Sequence, residues 1–345
     1  LITTSFLIGV GAFQLPAGIL VAKYGPKILS IIGILLSSSI AIISGFAQDT
    51  IQIILSRFLI GIGMAFFFGP SVTLISNYLG KENEGFGVGL LNSAHAIGAL
   101  LGIFGWVALT EVTGWRLSII IGGIIGILIV LIMKIGLLKE NHENNFKIKY
   151  NELKNVLFNK SLIVLGITLL GYQTGASLTL TFIVIYLIED LHIEPVYAGL
   201  LGSVSLIIGI IISPISGKIY DKIKNARKLL FLSALISAIS IMSISIGSVY
   251  IIIIALITSG IFLSIGFVVV YARARKSKKI IPEYQTLSVG YVNGISLFGA
   301  FWIPIIFSYT VNQFGYNIAW LCAGITIIIL SLPILRLESE KEATG

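Results

Sequence analysis

VGLLNSAHAIGA (residues 88–99) and VGYVNGISLFGA (residues 289–300) lie 201 positions apart and agree at Val88/Val289, Gly89/Gly290, Asn92/Asn293, Gly98/Gly299 and Ala99/Ala300. The same offset lays Gly114-Trp115-Arg116 over Gly315-Tyr316-Asn317, and Gly123 over Gly324. A second pair of segments, GILVAKYGPK from Gly18 and GKIYDKIKNARK from Gly217, recurs at nearly the same spacing. Self-similarity at one long offset means a chain built of two related halves.

Both halves are oily. Hydrophobic residues make up 56% of the 345, charged residues 11%, and the mean hydropathy is +1.02. Soluble domains carry about 25% charged residues, so this chain has less than half the usual share. Apolar runs long enough to cross a bilayer of roughly 30 Å recur along its length, which makes it an all-α polytopic membrane protein. Cutting at charged and turn-rich breaks predicts eleven spans, near 1–21, 28–47, 51–78, 85–109, 116–138, 161–188, 196–217, 228–247, 249–271, 285–311 and 316–336. The one long polar stretch, 139–160, divides an N-terminal bundle (1–138) from a C-terminal bundle (161–337), with a short tail at 338–345.

Orientation follows from the bases. If the break at 22–27 faces the cytoplasm, alternate breaks do too, and they hold 21 of the 23 Lys and Arg, the linker and tail included. Arg116 falls on the other side and Arg57 inside a span, while Asp49, Glu111, Glu189, Asp190 and Glu194 mark the outer loops. The net charge of +8 is therefore a topology signal. The linker and C-terminus are expected in the cytoplasm and the protein in the plasma membrane. RARKSKK (273–279), beside a span end, reads as a contact to inner-leaflet lipid and not to nucleic acid.

Repeat symmetry also exposes a gap. In the second half 56 residues (161 to 217) precede the hairpin glycine, in the first only 17. Roughly 40 residues and one helix are expected to be missing ahead of the first visible span, making twelve in all.

These features together resemble the major facilitator superfamily over the whole chain. The family's loop after its second helix is matched by Gly18, Leu20, Lys23, Gly25 and Lys27, with Ala22 where the family has Asp. The copy after the eighth helix is matched by Gly217, Asp221, Lys222, Arg227 and Lys228, and keeps the acid. RFLIG (57–61) resembles the fourth helix, and Gly114-Trp115-Arg116 the segment before the sixth. The resemblance implies two pseudo-symmetric six-helix bundles, of which eleven helices are visible and the first is lacking. It also implies that the two loop motifs hold a cytoplasmic gate, Asp221 being the better latch.

Polar residues inside the spans are the candidates for substrate contact. Asn92 and His95 lie close to mid-membrane and one helical turn apart. Asn293 is the repeat partner of Asn92, and such symmetry-related midplane positions are where this architecture puts substrate. Arg57 lies about six residues, roughly 9 Å, inside its helix; it either snorkels to the outer interface or attracts an anion. Tyr172 and Gln173 form a further polar pair at the centre of their span. For each of these the other reading is interhelical hydrogen bonding. None of the 15 acids falls within a span, so either the missing helix supplies a coupling carboxylate, or coupling uses another group, or the protein is a uniporter.

No enzyme, metal or cofactor motif is present: there is no HExxH, no Walker loop and no Cys/His cluster, and Cys322 is the lone cysteine. The expected function is alternating-access transport of a small polar solute, with organic anions favoured by Arg57 and His95. The partners would be that solute, a coupling proton or ion and membrane lipids, in a monomer that uses no cofactor. The other reading is a non-transporting sensor or an inactive truncated permease.

Overall fold

The computed structural model describes residues 2–136, 149–223, 225–277 and 280–337. The expectations for linker residues 139–148, for Lys139, Lys147, Lys224, Lys278, Lys279 and Lys341, and for the tail 338–345 lie outside them. The described chain contains helices and turns and no strand. Its helices are α1 (Ile2–Tyr24), α2 (Pro26–Ser44), α3 (Thr50–Leu79), α4 (Glu84–Leu100), α5 (Trp106–Gly136), α6 (Tyr150–Leu157), α7 (Lys160–Glu189), α8 (Pro195–Lys222), α9 (Ala226–Ser243), α10 (Val249–Arg275), α11 (Gln285–Ala300) and α12 (Ile303–Ser331). A helix satisfies its backbone within one segment, as a chain crossing lipid must. Ile43, Ile132 and Ile254 are 61%, 68% and 63% exposed, as expected of side chains that meet lipid.

Turn chemistry explains where the helices stop. Gly25 takes φ 86° and hands over to Pro26 at the first position of α2. Asn225 caps α9 by accepting from the Lys228 N–H at 3.4 Å.

Among the described residues nine stretches, not eleven, are long and apolar enough to cross a membrane, because two of them run on for 53 residues (Glu84–Gly136) and 55 residues (Pro282–Arg336). In the first, α4 passes into α5 through a π-helical stretch, Leu101–Gly105, and the interruption falls later, at Gly114 with φ 77°. In the second the interruption is Gly315, with φ 81°. At 1.5 Å per residue an unbroken helix of this many residues would rise roughly 80 Å, far beyond a single crossing. The two glycines are repeat partners. So are the 3-10 turns Lys81–Asn83 and Pro282–Tyr284 that lead into α4 and α11, so the repeat in sequence is a repeat in backbone shape.

By packing, the chain forms two compact units. The first holds Leu1–Tyr78, Leu101–Leu162 and Ala274–Phe298; the second holds Leu79–Leu100, Ile163–Arg273 and Gly299–Gly345. Compared with the halves of the sequence, α4 is grouped with α7–α10 and α12, and α11 with α1–α3, α5 and α6. In the first unit α1 meets α3 at Gly9 and Gly61, where an added methyl on either would lie 3.2 Å from the other's Cα. Small residues let membrane helices approach this closely. In the second unit α7 is deeply packed: Leu165, Leu169, Tyr172, Ile183 and Leu187 are fully buried.

The polar linker carries a helix that its composition concealed. Leu153, Val156 and Leu157 recur at helical spacing, and α6 buries Val156 to 1% exposure.

Candidate functional site

In the second unit α4 and α8 run side by side in opposite directions, joined at successive turns. At the start of α4 the two carboxylate oxygens of Asp221 accept from the Gly85 and Phe86 N–H groups at 2.9 and 3.0 Å. These donors are among the first four of the helix, which have no partner within it, and the carboxylate also meets the positive end of the helix dipole. Glycine makes the approach possible: a methyl on Gly85 would lie 2.6 Å from the Gly217 carbonyl oxygen. Lys218 sits over the Phe86 ring, 4.7 Å from its centroid. One turn on, a methyl at Gly89 would come within 2.8 Å of the Pro214 Cα. The Asn92 Nδ2 then donates to Ser213 Oγ at 2.7 Å, and Ser213 Oγ donates to the Gly209 carbonyl at 2.6 Å. Ser93 Oγ donates to the Ile210 carbonyl. His95, next along α4, is exposed.

Of the gate residues expected from sequence, Gly217 and Asp221 thus act directly on α4. Lys222 is exposed at the end of α8, and Arg227 donates from Nη1 to the Leu337 carbonyl at 2.8 Å. In the first unit Gly18 packs on α11, where an added methyl would lie 2.6 Å from the Leu287 Cα. Gly25 supplies the turn. Lys23 stands over the Tyr24 ring at 5.0 Å and Lys27 is half-buried. Ala22, in the place of the family's Asp, is 2% exposed.

The first unit also contains Arg57, half-buried on α3, and Asn293, 7% exposed on α11. Among the polar links between its helices is that of Thr73 with Thr286, whose hydroxyls share a hydrogen bond of 2.6 Å.

Beside that link lies a residue the sequence reading passed over. Gln14 of α1 is 1% exposed, and neither its Nε2 nor its Oε1 has a hydrogen-bond partner among the described residues. A methyl at Gly290 would be 3.4 Å from that Oε1, and one at Gly294 would be 3.8 Å from the Gln14 Cβ, so the amide lies along α11 next to Asn293. The clue was in the hairpin repeat: laying Gly18 on Gly217 lays Gln14 on Ser213. Asn92 and Ser213 in one unit thus have Asn293 and Gln14 as their repeat partners in the other.

Tyr172, expected among the substrate contacts, is bound to a neighbouring helix. It is fully buried, its hydroxyl donates to the Leu230 carbonyl at 2.6 Å and shares a 2.7 Å hydrogen bond with Ser233. Both bonds fasten α7 to α9, which accounts for the hydroxyl at that depth. Gln173, one residue on, is half-buried.

A membrane chain of this helical architecture, doubled by an internal repeat, is that of a transporter. The family model of the Major Facilitator Superfamily matches residues 1–277 and 165–345, and the chain belongs to that family. It is a multi-pass membrane transporter acting on small molecules, not an enzyme. Among curated relatives it is 26% identical over 277 residues to the probable nitrate transporter NarT of Staphylococcus aureus, covering 79% of this chain and 68% of that protein. It is 32% identical over 102 residues to the benzoate transport protein of Acinetobacter baylyi, covering 30% of this chain and 22% of the relative. Among solved structures, the fucose:proton symporter FucP of E. coli matches with TM-score 0.76 at 14% identity, over 98% of this chain and 90% of that one. The human organic anion transporter MFSD10 matches with TM-score 0.78 at 11% identity, over 96% and 82%. At these identities the two structures share the fold alone.

Proposed function

We propose that the protein carries a small planar oxyanion, such as nitrate or a carboxylate, across the plasma membrane by alternating access. The observation that carries this reading is the placement of charge: all 15 acids fall outside the spans drawn from sequence, and those in the described helices, such as Glu84, Glu189 and Asp221, lie near helix ends or breaks, whereas Arg57 and His95 lie inside those spans. A route without fixed negative charge does not repel an anion, and a base at depth attracts one. The names of the curated relatives agree, since nitrate and benzoate both spread one negative charge over coplanar oxygens. Eleven crossings are proposed, with each of the two long runs turning back at its positive-φ glycine. The linker and the C-terminus then face the cytoplasm.

Arg57, His95, Gln173 and Asn293 are proposed as substrate contacts, and Gln14 joins them because a buried amide without a partner has hydrogen bonds to offer. Asn92 keeps its carbonyl oxygen and one amide N–H for that role, the other N–H being donated to Ser213. The contact of α4 with α8 at Asp221 is the proposed cytoplasmic gate, which parts when the site opens inward.

Uptake of isotope-labelled nitrate and benzoate into proteoliposomes tests the reading. Saturable uptake of either anion, competed by the other and not by a neutral sugar, is expected. Sugar uptake without anion uptake overturns it.

A further inference from the structure

The linker helix α6 is strapped to the beginning of α11 by two tyrosines. The Tyr284 hydroxyl accepts from the Lys149 N–H at 2.9 Å, just before α6, and the Tyr291 hydroxyl donates to the carbonyl of Leu157, its last residue, at 2.8 Å. Seven residues of rise separate the tyrosines, roughly 10 Å, close to the length of an eight-residue helix. Accordingly α6 lies alongside the first two turns of α11, where a membrane helix emerges from its bilayer.

The opposite face of α6 has an unusual composition for a face open to water. Tyr150 and Phe158 are 75% and 72% exposed, and exposed Lys154 stands midway between them at helical spacing, so the three form one stripe. Lys149 and Lys160, both exposed, flank it. Val156, turned away from the stripe, is 1% exposed. Aromatic rings that alternate with lysines suit the headgroup layer, where the ring enters the acyl boundary and the ammonium stays with phosphate. A water-soluble partner has no comparable reason to be at this depth.

We propose that this stripe binds the inner leaflet, Tyr150 and Phe158 inserting between lipids and Lys149, Lys154 and Lys160 pairing with anionic phospholipid headgroups. Through Tyr284 and Tyr291 acidic lipid then holds the start of α11 at the membrane surface. The inference uses the orientation proposed above and is independent of what is transported.

The test uses the full-length chain with Cys322→Ser and a nitroxide on Asn151→Cys, an exposed position beside the stripe. Vesicles of phosphatidylcholine are compared with vesicles that also contain phosphatidylglycerol. In the acidic vesicles the label should collide mainly with oxygen, which partitions into lipid, and little with a water-soluble nickel chelate. Replacing Lys149, Lys154 and Lys160 by Gln should weaken the preference for acidic lipid by up to about fivefold per lysine. Serine at Tyr150 and Phe158 should return the label to water in both vesicles, with melting temperature unchanged. A label open to the nickel chelate in both lipids overturns the proposal, and so does reaction of the same cysteine with an impermeant maleimide from outside alone. Both readouts are independent of transport, so a failure of the anion assay leaves them intact.

Discussion

The carboxylate of Asp221 on α8 accepts a hydrogen bond from the backbone N–H of Gly85 on α4 at 2.9 Å, and its second oxygen takes the next N–H, that of Phe86, at 3.0 Å. Asp221→Ala leaves two helix-terminal donors without this acceptor, and hydrogen bonds to charged groups contribute about 1.5–3 kcal/mol. The variant should melt several degrees lower and lose most uptake, with Asp221→Asn intermediate because it keeps one acceptor. An unchanged melting curve together with unchanged uptake would remove the gate role.

The bond between Asn92 and Ser213 is suited to a double-mutant cycle. Asn92→Ala, Ser213→Ala and the double variant should give a coupling of about 0.6–1 kcal/mol in thermal or denaturant unfolding, the size found for polar pairs between membrane helices. Strict additivity would mean the pair contributes nothing.

His95 is exposed, so His95→Ala should cost less than about 0.5 kcal/mol of stability while cutting anion uptake at least tenfold. If the imidazole only holds helices together, the reverse pattern appears: a lower melting temperature and normal uptake per folded molecule.

Gln14 gives an opposite sign. A buried amide without a partner is unfavourable, so Gln14→Leu, similar in volume and free of polar atoms, should raise the melting temperature. Uptake should fall in the same variant. Stabilisation with full transport would leave Gln14 without a role in transport.

Tyr172→Phe removes the hydroxyl that joins α7 to α9. A loss of about 1–3 kcal/mol is expected, with uptake per folded molecule close to normal. A selective loss of transport at unchanged stability would return Tyr172 to the substrate contacts.

How far the sequence could be read depended on which signal each residue left. Gly114 and Gly315 were visible because a positive φ demands glycine and the repeat doubled the mark. The helix α6 was hidden because eight residues with three apolar positions, set among asparagines and lysines, look like a solvated linker. Tyr172 and Gln173 are neighbours in the same apolar run and read alike, yet only packing distinguishes a hydroxyl bound to Leu230 and Ser233 from a half-buried amide. Asp221 could be marked as a latch from its motif, but Gly85 and Phe86 were not foreseeable as its partners. They lie about 136 positions earlier, and a backbone N–H leaves no trace in composition.

In the proposed gate the glycine contact of α4 with α8 would act as a bearing. Where Gly85 meets Gly217 the closest approach is main chain to main chain, with the Tyr220 ring and the Asp221 carboxylate beside it. Sliding there meets little friction, and resistance concentrates in the few polar catches at Asp221 and Asn92. A methyl at Gly85 would lie 2.6 Å from the Gly217 carbonyl oxygen and 2.8 Å from an Asp221 carboxylate oxygen, so it would roughen the bearing and disturb the catch beside it.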